Sequence, residues 1–169
     1  MQGLLVLGSQ IDVFSGKLQI PDFKILYENA AEVDHPPLFL SRAQLLLNRL
    51  MAQCHRVCVW AEGDAAACAL VLAAQFDVDR IILVSDSLFK IRHPDCRQRR
   101  FNAFARRNLS LSTGEIIAAG MSTAACKQLS SRLGWHARMI CLPDAAELWR
   151  KRETFLTASF EALSAPFEP

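Results

Sequence analysis

Two hydrophobic rhythms alternate along this chain. Short, continuous apolar runs recur at Gly3 to Gly8 (GLLVLG), Lys24 to Tyr27 (KILY), Val57 to Trp60 (VCVW), Arg80 to Ser85 (RIILVS), Glu115 to Ala119 (EIIAA) and Ala137 to Leu142 (ARMICL). They lack the polar alternation of a half-solvated sheet, so they read as strands buried on both faces. Between them the period changes to that of a helix. Ser41 and Gln44 form a capping-box pattern, followed by Leu46, Leu47, Leu50, Met51 and Cys54 on one face. From about Asp64 to Gln75 the chain is alanine-rich and apolar nearly all round, which predicts a buried helix. A third helix, capped by Ser122 or Thr123, stops at Gly134, a natural left-handed cap. A last helix follows Pro143, with Asp144 and Glu147 as its cap pair and Trp149, Leu156, Phe160 and Leu163 as its buried stripe. Strands alternating with helices predict an α/β fold: a mainly parallel sheet of about six strands with helices on both faces.

The chain has 169 residues, 51% of them apolar, enough for one sizeable core. We expect a single domain over residues 1–164, with residues 88–112 as a short basic insertion and residues 165–169 as a loose tail. Nineteen basic and seventeen acidic residues leave a net charge of +2, too little to imply a nucleic-acid or membrane partner by itself. Cys54, Cys58, Cys68, Cys96, Cys126 and Cys141 are scattered through apolar or helical patterns, which reads as reduced thiols in a cytoplasmic protein. Cys54, His55 and Cys58 approach a metal spacing, but no second ligand pair completes it, so no metal is expected. No run reaches the about 18 apolar residues of a membrane span, and the N-terminus has no charged region before its apolar stretch. GSQIDVFSG has the wrong spacing for a dinucleotide-binding loop, so no cofactor is expected either.

The stretch RVCVWAEGDAAACALVLAAQF, Arg56 to Phe76, carries the most specific pattern. A buried strand turns abruptly through Ala61 to Ala65 into the alanine-rich helix. With LLVLGS before it, VDRIILVSDS and EIIAAGMST after it and ARMICLPDAAELW last, the order resembles a trimmed α/β hydrolase from Gly3 to Leu163. In that family the strand-to-helix elbow G-x-S-x-G holds the nucleophile. Laying AEGDA on it puts the small Ala61 and Ala65 where close packing needs them, and Gly63 where the serine would be. The resemblance also implies a triad acid near Gly120 to Thr123 and a histidine near Pro143 to Glu147. The former has no carboxylate, and the latter has Ala145 and Ala146.

A nucleophile without its base loses most of its power. Empty triad positions therefore imply a hydrolase-like protein that acts by binding. Shifting the elbow by one residue makes Asp64 the apex, as in aspartate-nucleophile members, but sets Glu62 where a glycine is wanted. The runner-up, an ester or thioester hydrolase with a non-standard site, would draw on Asp64, Ser9, Ser87, Ser122, His35 and His93. Asp64 also suits a helix N-cap, which by itself accounts for it. Glu62, beside the positive end of the buried helix, is the candidate to hold a cation or a basic group.

From Lys90 to Arg107 the only acid is Asp95, against Lys90, Arg92, Arg97, Arg99, Arg100, Arg106 and Arg107. The plainer reading is a solvated segment tucked onto the sheet by Phe89, Phe101 and Phe104. The functional one makes Arg97, Arg99, Arg100, Arg106 and Arg107 a docking surface for an acidic protein, ahead of a nucleic-acid backbone or anionic lipid. A sheet edge left open by the absent early strands leads us to expect a homodimer.

Overall fold

A computed structural model describes residues 1–8, 22–29, 35–62, 65–76, 78–84, 99–100, 103–104, 115–119 and 139–142. They form strands β1 (Gln2–Gly8), β2 (Phe23–Asn29), β3 (Arg56–Glu62), β4 (Arg80–Val84), β5 (Glu115–Ala119) and β6 (Met139–Leu142), with helices α1 (Pro36–Met51) and α2 (Ala65–Gln75). All the strand pairs are parallel, and the spatial order is β2-β1-β3-β4-β5-β6. The chain thus steps outward from β1 to β2, crosses back through α1 to β3, and continues through α2 to β4. The last two steps run in the same direction, so right-handed crossovers place α1 and α2 on one face of the sheet. They meet there, with the Gln44 amide donating to Gln75 Oε1 at 2.9 Å.

The pleat divides the strand residues between two faces. Toward the helices point Leu5 and Leu7, Val57, Val59 and Ala61, and Ile81 and Leu83, in one cluster with Phe39, Leu47 and Leu50 of α1 and most of α2. On the other face Leu4, Val6, Cys58, Trp60 and Ile82 are each no more than 3% exposed. This is why β1, β3 and β4 read as unbroken apolar runs. The helices expected around Trp149 to Leu163 and ending at Gly134 lie outside the described residues.

α2 can be buried because it is built from small residues: every position from Ala65 to Ala73 is buried. α1 is amphipathic instead, with Pro36, Phe39, Leu40, Ala43, Leu47 and Leu50 inward. It begins six residues earlier than its capping-box pattern suggested, with His35 as the N-cap residue and proline at its start. Proline suits the first turn because the missing N–H has no intrahelical acceptor there and its fixed φ is already helical. Ser41 is therefore not a cap; its hydroxyl donates back to the Pro37 carbonyl at 2.9 Å. At its other end α1 passes so close to β1 that a Cβ on Gly3 would lie 3.2 Å from Leu50 Cβ and 3.3 Å from Cys54 Sγ.

Backbone contacts fasten the N-terminal edge of the sheet. The Val57 amide donates to Asp79 Oδ2 at 2.7 Å, and the Asp79 amide returns a bond to the Val57 carbonyl at 3.0 Å. Asp22, at φ 68°, turns the chain into β2 and accepts from the Gln2 amide at 2.8 Å. Aspartate tolerates this left-handed conformation better than most residues.

Burial raises the ionisation of Tyr27, on β2, above its ordinary value of 10.0. A raised folded-state value means that its contribution to stability is complete below pH 10 and is lost as pH rises through the folded value. The chain has one tyrosine, so tyrosinate absorbance reads this group alone. We expect its midpoint above that of the urea-unfolded chain; a midpoint at or below the unfolded value would refute the burial.

Candidate functional site

In a parallel sheet every strand delivers its C-terminal end to the same edge, and ligands gather where neighbouring connections leave in opposite directions. Here that point lies between β1, whose chain departs toward β2, and β3, whose chain departs toward β4. Gly8 closes β1 and Glu62 closes β3. The strand runs two residues beyond Trp60, so Glu62 is a strand residue rather than part of the turn. The reason is that β3 is paired on both sides, Ala61 with Leu7 of β1 and Glu62 with Val84 of β4.

β3 ends at Glu62 and α2 starts at Ala65, which leaves Gly63 and Asp64 alone to connect them. So abrupt a turn brings helix and strand backbones together, and the fully buried Ala61, Ala65 and Ala66 have the small side chains this demands. Gly63 and Asp64 themselves lie outside the described residues, as do Ser9, Ser87, His93, Arg97, Arg106, Arg107 and Ser122. Glu62 is thus the one candidate placed at the crevice itself.

His35 stands at the start of α1, exposed, and its carbonyl accepts from the Phe39 amide at 3.0 Å while its ring makes no capping bond. Because α1 runs back from the C-terminal edge, His35 is on the same edge of the sheet as the ends of β1 and β3. His55 sits at the opposite edge, with Nδ1 3.3 Å from the N-terminal amine. Cys54 packs on the helix-bearing face while Cys58 alternates onto the other, so the metal-like spacing does not converge. Among the described residues no three His, Cys, Asp or Glu side chains cluster. Of the basic segment, Arg99 and Arg100 are helical and exposed, and Phe104 packs half-buried against the main core.

Two buried charges escaped the sequence reading, Arg80 on β4, 1% exposed, and Glu28 on β2. Glu28, paired in register with Leu7, is only 7% exposed, and its Oε1 lies 2.9 Å from Arg42 Nε on α1. The signal was present in KILYEN, where Lys24, Leu26 and Glu28 share the face that α1 covers, and in Arg42, one of two charges on that helix.

No protein-family model matches the chain, and no curated protein matches it significantly. A solved structure described with LipS and LipT, two metagenome-derived lipolytic enzymes that increase the diversity of known lipase and esterase families, is similar over 94% of this chain and 94% of its own, with a TM-score of 0.58 and 11% identity. The chain has a hydrolase-like α/β fold. At that identity the likeness speaks for architecture alone. Within this hydrolase-like fold, β3, the two-residue connection and α2 stand where a strand-to-helix elbow would present a nucleophile.

The Arg42 guanidinium lies against a carboxylate largely removed from water, so truncating it takes away part of the compensation of a buried charge. Because Arg42 is 45% exposed, the cost is moderated by solvent. We expect Arg42→Ala to lower unfolding stability in urea by about 1–3 kcal/mol, and Glu28→Gln in the same chain to recover part of it. Equal, additive losses would show that the pair is not coupled.

Proposed function

We propose that this hydrolase-fold protein acts by binding rather than by serine-type hydrolysis, with the crevice at the C-terminal ends of β1 and β3 as its ligand site. The observation that carries this reading is the length of the elbow. Only Gly63 and Asp64 fit between β3 and α2, so no serine, cysteine or threonine is available at the apex. The sequence places no carboxylate near Gly120 to Thr123 and no histidine near Pro143 to Glu147, which supports the same conclusion. Glu62 ends β3 beside the start of α2, where an anion is favoured by the helix dipole. The preferred ligand for that position is a cation or a basic group.

In this reading the chain is one domain in the cytoplasm, needing no metal or cofactor, and the arginines from Arg97 to Arg107 form a second surface that receives an acidic protein. Exposure of Arg99 and Arg100 beside the inward-packed Phe104 supports a basic face held on the core by an aromatic anchor.

The likeness to a lipolytic enzyme favours one other reading, hydrolysis of esters or thioesters through Asp64 with a histidine such as His35 or His93. An aspartate attacking the acyl carbon of an ester or thioester would expel the alcohol or thiol and form a mixed anhydride, which a histidine-activated water must then cleave. Turnover of short-chain nitrophenyl esters and thioesters separates the two. We expect no turnover above buffer for the wild-type protein and no change in Asp64→Ala or His93→Ala. Turnover that survives purification and vanishes in either variant would overturn the binding proposal.

A further inference from the structure

The sheet has an edge at β2, and among the described residues no strand lies on its outer side. Exposed edges are usually blunted by prolines, bulges or projecting lysines. β2 has few of these defences. Its sequence, FKILYEN, has no proline, and its seven residues pair with β1 in unbroken register, Gln2 with Phe23 through Gly8 with Asn29. Its one lysine, Lys24, lies on the α1 face, where its amine reaches the Gln53 side chain of its own chain. Six of the seven β2 residues are half-buried and one, Glu28, is buried.

We propose that β2 is the docking edge for a second copy of this chain, through an antiparallel β2–β2 pair centred on Leu26. A two-fold axis through Leu26 faces that residue with its mate. It sets Ile25 against Tyr27, Phe23 against Asn29 and Lys24 against Glu28, each pair twice. The pairing is self-complementary, as an isologous interface requires. It also respects the faces of the sheet: Lys24, Leu26 and Glu28 share the α1 side, while Phe23, Ile25, Tyr27 and Asn29 share the other.

Charge selects this register. Moving the axis to Ile25 would set Lys24 against Leu26 and Glu28 against Asp22, two acids. Moving it to Tyr27 would set Glu28 against Leu26. Only the Leu26 axis joins all seven residues of each strand and gives both charged positions an opposite charge, the arrangement that stabilises cross-strand pairs.

The helices fit the same axis. α1 lies over β1 and β2, so the operation places the two α1 helices about two strand spacings apart, roughly 9–10 Å. That is the distance at which helices pack. The flank of α1 turned toward the edge is the one carrying Arg42, as its contact with Glu28 on β2 shows, whereas Gln44 reaches α2 on the far side. Leu46 follows Arg42 by one turn on that flank and is half-buried in the single chain, ready to meet its counterpart.

The proposal rests on the fold alone and stands whether or not the crevice is catalytic. It is tested by sedimentation of the full chain over micromolar concentrations, with amide hydrogen exchange at 23–29 followed over the same range. We expect a dimer, with exchange at 23–29 slowing as it forms. Lys24→Glu sets like charges against Glu28 at both ends of the pair and should raise the dimer dissociation constant about tenfold or more. Leu45→Ser, on the solvent side of α1, should leave it unchanged. Circular dichroism confirms that each variant is folded; if Lys24→Glu is not, concentration-dependent exchange in the wild type decides. A monomer throughout, or a dimer without protection at 23–29 or indifferent to Lys24→Glu, overturns the proposal.

Discussion

The structure depends on how closely α2 lies on the sheet. A helix whose positions from Ala65 to Ala73 are all buried has no solvent face there, and among the described residues β1, β3, β4 and α1 lie against it. That enclosure requires small side chains at the strand end and the helix start, and Ala61, Ala65 and Ala66 meet the requirement. The same closeness shortens the connection to two residues. The two residues between β3 and α2, Gly63 and Asp64, carry no hydroxyl or thiol, and the binding proposal rests on that.

Around this centre the remaining interactions hold the edges. Asp79 and Val57 exchange bonds where β3 begins, Gly3 lets the end of α1 settle on β1, and Glu28 ties β2 to α1 through Arg42. The β2 strand is thereby fixed in register at the end of the sheet although its outer side has no strand among the described residues. A strand so held has already met the ordering cost of accepting another, which favours the edge pairing proposed above.

Much of this architecture was legible because doubly buried strands leave a plain mark. Unbroken runs such as LLVL and RIIL have no other stable home in a chain of alternating strands and helices, and the strand bounds read from them fall within two residues of those observed. The alanine-rich helix was legible for the same reason, since nothing polar interrupts it until Gln75. The start of α1 was misread because Ser41 and Gln44 imitate a capping box, while the stronger signal, the paired Pro36 and Pro37, looked like a loop. Glu62 was assigned to the turn because the strand's apolar run ends before it; pairing on both sides carries the ladder further than hydrophobicity does. The Glu28–Arg42 contact joins residues from different elements, and no local period announces such a contact. Of the site, the sequence located the strand end at Glu62 and the helix start at Ala65 to within a few residues, whereas Gly63 lies outside the described residues and the identity of the ligand depends on loop side chains that follow no period.

The binding proposal requires that no activated serine stand in this hydrolase-like fold. A fluorophosphonate reports this directly, because it bonds covalently to a serine only where a base and an oxyanion site activate it. After incubation of the full chain with the reagent, intact-protein mass spectrometry should return an unchanged mass. Stoichiometric addition at a single serine, abolished by prior unfolding, would show that an activated nucleophile exists and would contradict the account.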